Sequence, residues 1–160
     1  MTILANPMTS ADLHSLLHFL HWTPKDIEGE IGVPAGNVAA WLDGSFPIDP
    51  EVGEQIKALA DAVSKSAQEK VAALIGGLAQ EQQVLNIAHF RDEDQYQRFF
   101  TKQEIGISFR LYRAVIYNLE TILRTQNYDF TSNYIDLDDA AVSRPSMEYS
   151  DTPTMGITFH

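Results

Sequence analysis

Residues 23–44 read TPKDIEGEIGVPAGNVAAWLDG, and this stretch decides the fold. Thr23 is a helix-capping residue type, and Pro24 stands at a first helical position, where its missing N–H is harmless. Ile27 and Ile31, four apart, share one face of the helix begun there. Gly32 supplies the left-handed conformation that ends it. Val33 anchors the turn, Pro34 opens the next helix, Val38, Trp41 and Leu42 form its inner face, and Gly44 stops it. Two short helices meeting at a glycine, with apolar residues at Ile27, Ile31, Val33, Val38 and Trp41, fit a helix-turn-helix, whose second helix packs across the first. One position departs from that template. Four residues before the turn glycine the helices approach closely and alanine is usual, whereas this chain has Glu28 with Gly29 beside it. Either Glu28 reaches out to solvent or the helices cross differently.

Working outward, Thr9 and Ser10 cap a helix from Ala11 to about His21, with Leu13, Leu16, Leu17 and Leu20 on one face. On the other side, Pro47 and Pro50 bracket an extended segment. Pro50 and Glu51 start a fourth helix, with the acid near the positive end of its dipole. Ile56, Leu59, Val63, Val71, Leu74 and Leu78 recur at helical intervals, so this helix is long, and Gly76 and Gly77 weaken or end it. Val84 to Ile87 is strand-like. Asp92 to Asp94 cap a short helix carrying Tyr96, Phe99 and Phe100, which Gly106 breaks. Ile107 to about Arg124 is a helix with a wide apolar stripe of Phe109, Tyr112, Val115, Ile116, Leu119, Ile122 and Leu123. That stripe is wider than one small core needs, which predicts a two-fold interface. The chain reads as mainly α, in three parts: residues 1–60 a helix-turn-helix domain, 61–126 a linker helix and dimerisation half, and 127–160 an acidic C-terminal tail.

Composition bounds the function. Of 160 residues, 44% are hydrophobic and 21% charged, the balance of a folded globular protein. No apolar run is long enough to span a membrane, no signal peptide is expected, and a cytoplasmic location follows as the expectation. The absence of cysteine excludes a disulfide scaffold, thiol catalysis and cysteine-ligated zinc. The net charge of −11 excludes a bulk cationic grip on nucleic acid. Its distribution is uneven: residues 1–60 carry two lysines against eight acids, residues 86–126 six Lys/Arg against five acids, and residues 127–160 one arginine against six acids.

Residues 10–60 resemble a Cro/CI-type (lambda-repressor-like) DNA-binding domain. Trp41-Leu42-Asp43-Gly44, followed by Pro50 at the next helix start, is similar to the YdiL-like family, which includes anti-CRISPR-associated repressors. Ala88-His89-Phe90, then Phe99, then Phe109 to Val115 with Tyr112 inside it, resemble that family's second half. The resemblance covers about residues 10–126. It implies a lambda-repressor-like helix-turn-helix followed by a long helix and a small α-rich dimerisation half. It also implies a homodimeric DNA-binding repressor that often controls its own operon.

The residues suggest how such a protein would touch DNA. The outer face of the second motif helix is Gly36, Asn37, Ala39, Ala40 and Asp43. Asn37 suits adenine, Ala40 suits a thymine methyl, and Asp43 repels phosphate. Phosphate contacts would come from Lys25, Ser45, the Thr23 hydroxyl and backbone N–H groups at helix starts. The expected DNA-binding set is therefore Thr23, Lys25, Ala35, Gly36, Asn37, Ala40 and Ser45. The alternative is a protein-interaction or scaffold module on the same fold. A positive face around Lys25, Asn37 and Ser45 favours DNA, and an acidic or apolar one favours protein.

Other features read blandly. His14, His18 and His21 line one side of the first helix, but three ligands on one straight helix converge poorly on a metal. His89 and His160 stand alone, with structural or tail roles. Arg91, Arg98, Lys102, Arg110, Arg113 and Arg124 share their block with five acids, and the aromatics among them read as core. Asp136, Asp138 and Asp139 lack the glycine and closing glutamate of a calcium loop. No catalytic constellation appears. The expectation is a non-enzyme with no cofactor and no metal, whose partners are double-stranded DNA and a second copy of itself, with no membrane and no small-molecule substrate.

Overall fold

The computed structural model describes residues 7–81, 85–99 and 107–134. Val84, Phe100, Lys102, Gly106, the Leu78 side chain and everything from Ile135 to His160 lie outside the described residues. The chain forms two compact units, Met1–Ser64 and Lys65–His160.

The first unit opens with α1 (Ser10–Leu20), α2 (Pro24–Ile31) and α3 (Ala35–Leu42), followed by the first part of α4 (Pro50–Glu81). Thr9 and Asp12 cap α1 reciprocally: the Thr9 hydroxyl accepts from the Asp12 N–H at 3.1 Å, and the Asp12 carboxylate accepts from the Thr9 N–H at 2.9 Å. The helix stops at His21, whose φ of 56° is left-handed. Gly32, with φ 87°, ends α2 and turns the chain into α3. At the centre of the unit, Leu13, Leu20, Ile27, Val38 and Ile56 are fully buried, with Leu17, Trp22, Trp41, Ala60 and Val63 beside them in the core. Each large side chain contributes roughly 1.5–3 kcal/mol by leaving water. The Ser10 hydroxyl donates to the Trp41 carbonyl at 2.7 Å, tying α1 to α3. Leu16, Ile31, Val33 and Leu42 are only half-buried.

Gly76 and Gly77 do not end α4, which continues to Glu81. An interior glycine costs a helix about 1 kcal/mol. Burial of Val71 and Leu74 one turn earlier offsets that. In the first unit Ile56, Ala60 and Val63, and in the second Ala67, Val71 and Leu74, are buried at steps of three or four, the spacing of one helix face.

The second unit takes the rest of α4, then β1 (Leu85–His89), α5 (Glu93–Phe99), α6 (Phe109–Thr125) and β2 (Phe130–Tyr134). The two strands run parallel, pairing Leu85 with Phe130 through His89 with Tyr134. Parallel strands need a crossover, and α5 and α6 supply it. β1 takes up the stretch that reads as strand-like in the sequence, and the segment after Asn127, expected as a tail, carries the strand Phe130–Tyr134. Thr131 donates to Asn86 at 2.5 Å across the pair.

Phe90, Tyr96, Phe99 and Tyr112 form a buried aromatic cluster, with Phe90 5.3–5.4 Å from the other three ring centroids. The Tyr96 hydroxyl donates to the Ile107 carbonyl at 2.9 Å, and Tyr112 donates to that of Ala88 at 3.3 Å. Burial pushes the Tyr96 phenol up to about 12 and Tyr112 well above its ordinary value. On α6, Tyr112, Val115, Ile116, Leu119 and Leu123 are buried within the single chain, and Phe109 and Ile122 are half-buried. The width of that stripe is thus largely used inside the single chain, and it supplies no separate argument for an interface.

Candidate functional site

The turn at Gly32 sets α3 across α2, with Val38 and Trp41 turned inward. Gly36 and Asn37 are exposed on its outer side and Ala35 and Ala40 half-buried, while Thr23, Lys25, Asp43 and Ser45 are exposed around it. Of the predicted outer face, Gly36, Asn37, Ala39 and Asp43 are exposed and Ala40 is half-buried. The fate of the predicted phosphate-binding groups differs. The Thr23 hydroxyl donates to Asp26 at 3.1 Å, and the Thr23 N–H does so at 2.8 Å. The Ala35 N–H donates to the Glu28 carboxylate at 3.2 Å. The Ser45 N–H donates to Asp43 at 2.7 Å, and its hydroxyl donates to the same oxygen.

These contacts explain the unusual Glu28. Its carboxylate reaches over the turn to the positive end of α3 and caps it, so the helix crossing does not have to accommodate a buried acid. They also mean that three groups available to phosphate in principle already face carboxylates. The Ser45 side-chain and backbone hydrogen bonds hold the Asp43 carboxyl below its ordinary value, so it stays charged. Of the predicted set, Asn37 and Lys25 are exposed, with no carboxylate partner for their side chains among the described residues.

Beside Asn37 lies a shallow groove of about 430 Å³ lined by Gly36, Asn37, Ala40, Trp41, Phe46 and Pro47. Phe46 is 64% exposed. Phe46 is absent from the predicted set; its sequence mark is an aromatic residue between Ser45 and Pro47, outside both flanking helical patterns.

The second unit holds a polar cluster that lies outside the predicted set. His89 does not stand alone. Its Nε2 hydrogen-bonds the Glu120 carboxylate, which also accepts from the Ser132 hydroxyl at 2.9 Å and from Arg124 at 3.3 Å. Glu120 is 4% exposed. Burial alone would push its carboxyl up, but the His89 hydrogen bond and charge, with Ser132 and Arg124, hold it below its ordinary value. Glu120 accepts from every partner, so the cluster ties β1, α6 and β2 together and is no relay from a base to a nucleophile. The legible signal was position: Glu120 sits four residues after Ile116, on the apolar stripe.

The remaining candidates stay dispersed. His14, His18 and His21 are exposed, with the last two rings 6.2 Å apart. Among the described residues no three His, Asp or Glu side chains are grouped to hold a metal ion. Arg98 pairs with Asp94 at 2.7 Å on the surface of α5. No helix among the described residues is long and apolar enough to cross a membrane. Comparison with protein-family models finds none that matches the chain, and no curated protein matches it.

Proposed function

We propose that this protein is a sequence-specific DNA-binding regulator, a repressor acting as a homodimer in the cytoplasm, that reads a major groove through α3. The observation that carries the reading is the geometry of α2, the left-handed Gly32 and α3, with the small outer residues Gly36 and Ala40 flanking an exposed Asn37. Small residues let the helix approach base edges, and an asparagine can pair bidentately with adenine. Lys25 is the only Lys or Arg among residues 23–51, against six acids, so phosphate contacts supply little of the affinity. Selection of genomic fragments by the full chain at low salt, with sequencing, tests the reading. The expected result is a two-fold symmetric site with half-sites about 34–36 Å apart. Recovery of random fragments alone contradicts it.

A second reading has its own support: the exposed Phe46 beside an apolar groove, in an acidic neighbourhood, suits a protein contact. It predicts that Phe46→Ala abolishes capture of a partner protein while Asn37→Ala changes nothing.

A further inference from the structure

The proposed DNA contact runs through Asn37, and Phe46 stands beside it with no part in that contact. Its side chain shares the shallow groove next to Asn37 with Gly36, Ala40, Trp41 and Pro47. Gly36, Asn37 and Ala40 are also members of the outer face of α3. Whatever enters the groove therefore lies against the face that the DNA-binding reading turns to the bases.

The Phe46 ring is exposed, but its backbone is pinned. Gly44, with φ +80°, turns the chain back toward α3. The Ser45 and Phe46 N–H groups then both donate to the Ala40 carbonyl, at 2.9 and 3.3 Å. Pro47 restricts the residue before it to extended conformations, so Phe46 is constrained from both sides. A ring that is 64% exposed adds little to the stability of the fold. With only two rotatable bonds on a fixed backbone, it loses little freedom on making a contact.

Charge narrows the occupant. Residues 23–51 hold six acids, yet none of the residues lining this groove is charged. A phosphate meets no cation on this wall, and a basic side chain meets no carboxylate. A small apolar group suits it. On a major groove that group is the thymine 5-methyl, which shares the groove edge with adenine N6 and N7.

We propose, on the DNA-binding reading of α3, that Phe46 is a specificity-determining residue whose ring packs on a thymine 5-methyl beside the adenine paired with Asn37. Ala40, half-buried, is the other apolar group on this face suited to a thymine methyl, so the test must separate the two.

Anisotropy titrations of the full chain with the duplex selected from genomic fragments do so. Each thymine of one half-site is replaced in turn by deoxyuridine, which deletes the methyl and keeps every hydrogen-bonding group. The wild type should lose about three- to fivefold in affinity at one thymine position, the worth of one buried methyl. Phe46→Ala should bind the unmodified duplex about tenfold more weakly, because both half-sites change, and should lose its sensitivity to deoxyuridine at that position. Phe46→Leu should bind the same site and keep part of that sensitivity. A wild type that enriches no site overturns the DNA-binding reading and this inference together. A site that is bound but insensitive to every thymine replacement overturns this inference alone. So does a sensitivity that survives Phe46→Ala, which assigns the methyl contact to Ala40. Wild-type affinity of Phe46→Ala for the unmodified duplex also overturns it, and leaves the ring to a partner protein. Loss of the site in both Phe46 variants makes the ring structural and overturns it equally.

Discussion

At the residue scale, Gly32 and Gly36 make an instructive pair. Neither would bring an added methyl group within 4 Å of another part of the molecule, so space does not distinguish them. Backbone conformation does. Gly32 has φ +87°, where an L side chain costs roughly 1–2 kcal/mol, whereas Gly36 lies inside α3, where alanine gains about 0.5–1 kcal/mol. Urea unfolding should show Gly32→Ala destabilised and Gly36→Ala stabilised by those amounts. Asn37 and Lys25 carry the corresponding functional contrast. Asn37→Ala should cost about 1–3 kcal/mol on the specific site and little elsewhere. Lys25→Ala should weaken every sequence alike and reduce the salt slope of the dimer by about 2, one lysine from each protomer, as read by anisotropy titrations. The sequence disclosed the turn glycine and the outer face of α3, because both follow from local rules. It did not disclose that Glu28, Asp26 and Asp43 would occupy Ala35, Thr23 and Ser45, because either side-chain or backbone groups can satisfy a cap, and only the folded turn selects.

At the element scale, the unexpected piece is β2. Its residues FTSNY show no apolar alternation, and all but Phe130 are exposed, so periodicity could not find it. Its order comes from pairing with β1 and from cations on its rings, Arg91 over Tyr134 and Arg124 over Phe130 at 5.2 Å. β1 was legible because Leu85 and Ile87 are buried and β-forming. Chains ending after Asn127 and after Tyr134 differ only by the segment holding β2. The shorter should melt several degrees lower, because it exposes one edge of β1 and removes Ser132 from Glu120. Equal melting temperatures would deny β2 a structural role. The Glu120 cluster makes a further prediction. Its folded carboxyl lies below the ordinary value of 4.5, so its stabilisation is present above that value and is lost as pH falls through the lowered one. Melting of the wild type should therefore drop more steeply below about pH 5 than that of Glu120→Gln. Parallel pH profiles would show that the cluster contributes nothing through its charge.

At the scale of the whole molecule, charge dominates. On the proposed reading, a chain of net charge −11 approaches DNA through a restricted face, and residues 23–51 offer it one lysine. Recognition then rests on fit and base contact more than on counterion release, and the salt slope of a dimer should lie near −2, at about −0.9 per neutralised phosphate. The single chain already buries most of the α6 stripe, so the proposed dimer is tested by the symmetry of the selected site. The most direct test is selection of genomic fragments by the wild type beside Asn37→Ala, at low salt. The wild type should enrich one symmetric site, with a shallow salt dependence, and Asn37→Ala should lose the enrichment. A wild type that enriches no fragment, or an Asn37→Ala protein that selects the same site equally well, would contradict the proposed reading.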